Sequence, residues 1–176
     1  MEYVNTVEAL SPSQAFLQAF RRHGAGMCVI TLLTSDGSPA GFAATSVASL
    51  SASPPLASFN MSQTASSWRS MKMGTNVLLH FLGADSEGLA KKMAGEASDR
   101  FVGDHWSEGP EGLPLLSGVS AWLQCTVVSL VEVEFAAMVA LRVKAGEMGD
   151  TQDALVYHQR GYGRAVALSA QTVRTE

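Results

Sequence analysis

Apolar and polar positions alternate along most of this chain, and helical spacing is confined to three short stretches. Phe16, Leu17 and Phe20 recur at helical intervals behind Ser11-Pro12, which reads as an N-cap and first turn, and Gly24 and Gly26 stop the helix after His23. Cys28 to Thr34 is a β-type run closing on Asp36-Gly37, a hairpin signal, and a second strand opens at about Ala40. Leu56 to Met61 resumes a strand, and Gln63 to Lys72 has helix-like content with Trp68 and Met71 three apart. Val77, Leu79 and Phe81 alternate with Leu78, His80 and Leu82, so this strand is covered on both faces and His80 is a packed residue on it. Ser86 to Ala94 reads as a helix with Leu89, Ala90 and Met93 on one side. Residues 95–118 read as a Gly-, Pro- and acid-rich loop anchored by Phe101 and Trp106, the natural place for a mobile or ligand-adjacent excursion.

From Val119 to Glu134 the odd positions Ala121, Leu123, Cys125, Val127, Val131 and Val133 are apolar, interrupted by Ser129. Phe135, Ala137, Val139, Leu141 and Val143 continue as one strand face, so a tight turn or bulge is expected near Glu132 to Phe135. Lys144 to Ala154 reads as a turn region, Leu155 to His158 as a short strand, and Gly161 and Gly163 bracket Tyr162 in a final turn. Many strands with short helices and no regular βαβ spacing predict a mainly β fold, a barrel with helical additions.

Composition adds bounds to this picture. The 176 residues fit one domain covering 1–176, and a hydrophobic share of 47% is enough for a sizeable core. The charged share of 16% is below the usual ~25%, which points to surface covered by another subunit. Twelve basic against sixteen acidic residues, with no long basic stripe, argue against a nucleic-acid partner. Arg21, Arg22 and His23 are the densest cationic group and read as the last turn of a helix. Cys28 and Cys125 lie in apolar runs without paired spacing, as buried thiols of a reducing compartment do. The opening MEYVNTVEALSPSQ lacks the basic region and apolar core of a signal peptide, and no apolar stretch is long enough for a membrane span. A cytoplasmic protein with no membrane partner is expected.

Common chemical fingerprints are missing. There is no GxGxxG after a strand, no GxxxxGK[ST] and no HExxH, and Ser49, Ser51 and Ser53 lack a GxSxG elbow. The four histidines are dispersed, which gives no reason to posit a metal.

The segment Gly41 to Ser67 stands out instead. Ala43, Ala44, Thr45, Ser46, Ala48, Ser49, Ser51, Ala52 and Ser53 supply little core volume, and Pro54-Pro55 cannot occupy a central strand. Small residues let backbone N–H and C=O groups approach the edge of a planar ligand, with Thr45, Ser46 and Asn60 adding side-chain hydrogen bonds. Ser62, Thr64, Ser66 and Ser67 could hold a phosphate through hydroxyls and free amides. A tight sheet followed by a serine-rich loop accounts for the composition equally well.

The string GFAATSVASLSASPPLASFN (41–60) breaks this tie because it resembles the glycine, threonine/serine, serine-leucine-serine and proline-proline pattern of the flavin reductase-like family. Supporting matches, in order, are Ser66-Ser67, Asn76-Val77-Leu78, Asp99-Arg100-Phe101, Gly112-Leu113-Pro114-Leu115-Leu116, Trp122-Leu123-Gln124-Cys125 and Leu155-Val156-Tyr157-His158 with Arg160 and Tyr162. The resemblance covers about residues 15–168. It implies an FMN-binding split β-barrel, Greek-key-like, with short peripheral helices. Such barrels are small reductase components of two-component flavin monooxygenases, normally homodimers with flavin near the subunit interface.

By that resemblance Ala43, Ala44, Thr45 and Ser46, with Phe59, Asn60 and Met61, line the isoalloxazine, and Ser66 and Ser67 contact the phosphate. Arg100 and Phe101 approach from the long loop, and the segment near His158 closes the site. The implied activity is NAD(P)H:flavin oxidoreduction on FMN, with FAD as an alternative, and reduced flavin passing to a separate monooxygenase. The chain departs from the family at one point. Val131 to Ala137 stands where family reductases commonly carry a Gly-Asp-His motif beside the nicotinamide. The competing reading is a flavin- or haem-related binding protein of the same fold without efficient NAD(P)H turnover, and a third is a structural dimer with a vestigial pocket.

Overall fold

A computed structural model of the chain describes residues 10–150 and 152–168. Most of the segment read as lacking a signal peptide, residues 1–9, therefore lies outside the described residues. Helix α1, Pro12–Arg22, opens on a capping box: Gln14 N–H donates to the Ser11 hydroxyl, and the Gln14 side chain accepts from the Ser11 N–H. The chain then forms β1, Ala25–Gly26; β2, Cys28–Leu33; β3, Pro39–Ala44; β4, Ala48–Ala52; and β5, Pro55–Ser62. Next come β6, Asn76–Phe81, and helix α2, Glu87–Ala94. The remaining strands are β7, Trp106–Glu108; β8, Pro114–Leu116; β9, Ala121–Val133; β10, Ala136–Met148; β11, Leu155–His158; and β12, Gly161–Arg164.

Seven strands form one antiparallel sheet in the order β3-β2-β6-β9-β10-β5-β4. Its two terminal strands, β3 and β4, are consecutive in the chain and joined only by Thr45, Ser46 and Val47. Laid flat, the outer strands of such a sheet would stand about 29 Å apart. Four peptide steps reach about 14 Å at most. The sheet must therefore roll until its ends approach, which makes a barrel with a seam between β3 and β4–β5. Ser46 stitches that seam: its hydroxyl accepts from the Asn60 N–H at 2.9 Å and donates to the Asn60 carbonyl at 3.1 Å.

Two apolar clusters follow from the two faces of the sheet. Ile30, Leu32, Phe59, Val77, Leu79, Val127, Val139 and Leu141 fill the barrel. Met27, Val29, Leu82, Met93, Leu116 and Leu155 form a second cluster beneath α2 and the 95–118 excursion. This double covering explains why β2 and β6 are apolar on both faces, as the Val77 to Leu82 pattern implied. His80 is fully buried and satisfied at both ring nitrogens: Nδ1 faces the Val29 carbonyl at 3.3 Å, and Nε2 accepts from the Leu116 N–H at 3.2 Å. With the buried Thr31 hydroxyl donating to the Pro114 carbonyl at 2.6 Å, it pins β8 to the barrel wall.

Several elements differ from their sequence-based expectations. Gln63 to Lys72 is not a helix; only a 3-10 turn, Trp68–Ser70, forms there. Its hydroxyls bond locally, Ser62 to Thr64 at 2.7 Å, which offers the backbone an alternative to a costly helix nucleus. The small-residue run contains the edge strand β4, and the 95–118 excursion contains the β7–β8 hairpin. The expected turn falls at Glu134-Phe135, between the paired Val133 and Ala136. The odd face of β9 is inward only as far as Val127: a register shift opposite Ala140/Leu141 reverses the side-chain alternation beyond it. Leu130 packs on the core in consequence, and Val131 and Val133 are exposed. Strand β10 runs on to Met148 through residues expected to turn, and Tyr162 lies in strand β12, whose turn is instead Gln159-Arg160.

Candidate functional site

Along the seam three adjoining depressions share walls. The central one, about 320 Å³, is lined by Phe42 to Ser46 of β3 and its exit, Asn60 to Ser62 of β5, Ala65, Ser66 and Arg100. At one end Ser66 and Arg100 also border a narrow pocket of about 170 Å³ that adds Gly41, Ser67, Ala97 and Phe101. At the other end Ser46 and Asn60 to Ser62 border an open depression of about 560 Å³, closed by Val133 to Ala136. The cleft thus runs from a hydroxyl- and guanidinium-bearing end to the β9–β10 turn.

Ala43 and Ser46 are half-buried, Ala44 is buried and Thr45 is exposed, so the β3 wall is shallow and leaves backbone accessible. Met61 is buried and Asn60 exposed; both line the cleft. Ser66 is exposed, whereas Ser67 is buried and makes no side-chain cap to the 3-10 turn that follows it. Sequence reading of the lining residues missed Phe42 and Ala65, whose small-residue context carried no separate signal, and the Glu134-Phe135 turn, which was visible only as a departure from the family motif.

Arg100 is organised by backbone carbonyls. Its Nε and one terminal nitrogen donate to the Gly95 carbonyl at 3.0 and 2.8 Å, and the other terminal nitrogen donates to the Gly41 carbonyl at 2.7 Å. Burial lowers its pKa from the ordinary value, with Glu96 acting in the opposite sense. The loop around it is braced by His105 Nε2 at 2.8 Å from the Arg100 carbonyl and by Trp106 Nε1–H donating to the Phe101 carbonyl at 2.9 Å. Phe101 packs edge-on against Trp106, with ring centroids 5.5 Å apart.

Gly41 is the position that lets this loop dock. A Cβ there would lie 2.7 Å from the Ile30 carbonyl oxygen, 3.1 Å from Phe101 and 3.2 Å from Met93. Gly41→Ala is therefore expected to destabilise the protein by about 1–3 kcal/mol and to weaken ligand binding at the Ser66–Arg100 end. Urea midpoints read the first effect and ligand titration the second; parent-like values in both would show that the contact relaxes freely.

Three residues expected in the site line none of the depressions: Phe59, His158 and Thr64, whose hydroxyl is engaged with that of Ser62 at 2.7 Å. Strand alternation turns Phe59 into the barrel, where it is 1% exposed and packs against Phe42 with centroids 5.9 Å apart. His158 sits exposed on β11 in the small β1-β11-β12 sheet and lines none of the three depressions. Among the described residues no group of three His, Cys, Asp or Glu side chains could hold a metal, and no helix is long and apolar enough to cross a membrane. Cys28 and Cys125 are free and buried, and burial pushes both thiols up to about 12.

Comparison with known proteins places this cleft in a family context. Residues 20–165 match the family model described as flavin reductase like domain. A NADH:FMN oxidoreductase of Rhodococcus qingshengii is 37% identical over 155 residues, covering 85% of this chain and 80% of the relative. The crystal structure of a flavin reductase domain protein from Arthrobacter sp. FB24 superposes with a TM-score of 0.85 at 40% identity, covering 90% of this chain and 99% of that one. The flavin reductase component of a bacterial two-component tryptophan halogenase superposes with a TM-score of 0.76 at 26% identity, covering 86% and 97%. With its mainly β split barrel and short peripheral helices, the chain belongs to the flavin reductase-like family.

Proposed function

We propose that the chain is an NAD(P)H:flavin oxidoreductase that binds FMN in the seam cleft, acting as one domain with its core over about residues 15–168. The observation that carries this reading is the continuity of the cleft from Ser66, Ser67 and Arg100 to the Glu134-Phe135 turn. The donor set fits FMN. Two hydroxyls and a guanidinium at one end suit a phosphate, and a wall of small residues with accessible backbone suits a flat ring with a polar edge.

When bound, FMN supplies the redox chemistry, accepting a hydride from the nicotinamide donor. The chain's own work is positional. Ser66, Ser67 and Arg100 hold the phosphate, and Ala43 to Ser46 and Asn60 to Met61 fix the ring plane. No side chain needs to act as a strong base, so the absence of a Gly-Asp-His motif bears on donor positioning more than on the transfer itself. The 560 Å³ depression beside Phe135 is open enough to admit a nicotinamide ring.

Helix α1 supports a homodimer. It buries none of its residues, and Phe16, Leu17 and Phe20 are more than half exposed. A separate flavin-dependent monooxygenase is the partner that would consume reduced flavin, as the likeness to a two-component reductase suggests. The free thiols favour a cytoplasmic setting.

One sample tests the central claim. The absorption spectrum of the protein with FMN is expected to shift on binding and to bleach when NADH or NADPH is added without air. Binding without bleaching by either donor would favour the flavin-binding alternative, for which the Glu134-Phe135 turn is the motivating feature; absence of saturable FMN or FAD binding would overturn both.

A further inference from the structure

A second, cationic pocket lies away from the seam, between the end of α1 and the β11–β12 turn. It has a volume of about 480 Å³ and is lined by Gln18, Arg21, Arg22, Gln159 and Arg160. No carboxylate lines it, and among the described residues none of its three arginines is in an ion pair. Among the described residues these three guanidiniums share one pocket without an ion pair, Arg22 placing one N–H on the Gln18 carbonyl at 3.1 Å, in a chain of net charge -4 with only twelve basic residues. Arg21 and Arg22 suit the negative end of α1, and Arg160 is brought to that same end from another element.

The turn that presents Arg160 is built against local preference. Gln159 and Arg160 have φ of 49° and 64°, the left-handed region at both central positions of a two-residue hairpin turn. Asn-Gly or Gly-Gly fills such a turn with less strain, and an ordinary side chain there costs on the order of 1 kcal/mol. The turn is locked to the helix, because the Gln159 N–H donates to the Arg21 carbonyl at 3.0 Å. Arg160 is thereby held beside Arg21 and Arg22 by a backbone bond rather than by chance proximity.

We propose that this pocket binds the diphosphate of a nucleotide. Planar, always-charged forks pair bidentately with phosphate oxygens, and the two glutamines suit an adjoining sugar. The volume falls in the range of nucleotide-sized ligands, roughly 300–1,000 Å³, and is too large for a lone phosphate to fill. The site itself stands independently of the reductase reading; only its assignment to the electron donor rests on that reading.

The test titrates the whole protein with inorganic pyrophosphate, ADP and inorganic phosphate by calorimetry. Pyrophosphate and ADP are expected to bind saturably, more tightly than phosphate. Arg160→Gly is expected to lose about tenfold or more of that affinity, as loss of a charge-assisted contact implies. The same change relieves the left-handed turn, so its thermal midpoint is expected to be equal to the parent's or higher, which separates lost binding from lost folding. Arg21→Gln with Arg22→Gln is the second variant, expected to lose affinity likewise. No saturable pyrophosphate or ADP binding, or parent-like affinity in both variants, overturns the proposal. The source is read from kinetics in Arg160→Gly: a raised KM for NADH or NADPH with kcat unchanged assigns the donor, and a raised KM for FAD but not FMN assigns the flavin dinucleotide. Lost ADP binding with both KM values unchanged assigns a free nucleoside diphosphate. Failure of flavin reduction leaves the calorimetric arms readable.

Discussion

Arg100→Ala is expected to lower FMN affinity by about 10- to 100-fold and to destabilise the protein by about 2 kcal/mol. Both effects come from one guanidinium that ties the 95–118 excursion to the barrel while facing the cleft. Three of its donors are occupied by the Gly41 and Gly95 carbonyls, and its face lines both the central depression and the narrow pocket. Alanine removes the cleft's cation and leaves two carbonyls to find water. Arg100→Lys separates the two roles: an ammonium can restore attraction for a phosphate, but it lacks the planar fork that spans both carbonyls. Lysine is thus expected to recover part of the affinity and little of the stability. Flavin fluorescence quenching and urea midpoints read the two quantities, and an alanine variant binding FMN within about twofold of the parent would remove Arg100 from the phosphate end.

Acid is expected to cost the fold about 3 kcal/mol through His80 alone. Burial lowers its pKa from 6.5 to about 4, while its contact with the Val29 carbonyl acts in the opposite sense. The neutral ring suits its partners: Nδ1–H can donate to Val29, and unprotonated Nε2 accepts from the Leu116 N–H. Protonation would set a second ring N–H against that backbone N–H. Because the folded pKa is depressed, the stabilisation is complete above about pH 6.5, where the unfolded histidine is also neutral. It falls as pH drops towards 4, since only the unfolded chain takes up the proton. Urea unfolding across this window should show a slope of about 1.4 kcal/mol per pH unit beyond that of His80→Gln, which has nothing to protonate there. Identical pH profiles for parent and variant would contradict the assignment. Leu116 belongs to β8, so the same protonation loosens the seat of the excursion that carries Arg100 and Phe101.

What the sequence disclosed tracks the range of the interactions involved. The Asp36-Gly37 hairpin, the capped α1 and the doubly apolar Val77 to Leu82 strand depend on neighbours a few residues away or on a simple period, and each was legible. The reversal of β9 beyond Val127 was not, because a register shift is set by the partner strand; Ser129 was its only trace. Gln63 to Lys72 misled because amphipathic content was present without enough length or capping to nucleate a helix. In the site, the Ala43–Ser46 wall and the serine end were legible as composition and became specific only through the family pattern. The barrel interior claimed Phe59, and the small sheet placed His158 outside a single chain's cleft. Ser46 illustrates the remaining gap: it was read as a ligand donor, and its hydroxyl is engaged with the Asn60 backbone across the seam.

That seam also bears on how the molecule behaves among its own copies. An unrolled seven-stranded sheet would present two strand edges with unpaired N–H and C=O groups, the usual template for strand addition and aggregation. The three residues from Thr45 to Val47, reinforced by the Ser46 bonds to Asn60, hold those two ends close together. A nick in this strap would therefore release both edges at once. The feature that shapes the cleft also keeps those two edges, which do not pair with each other, tied through one short connection.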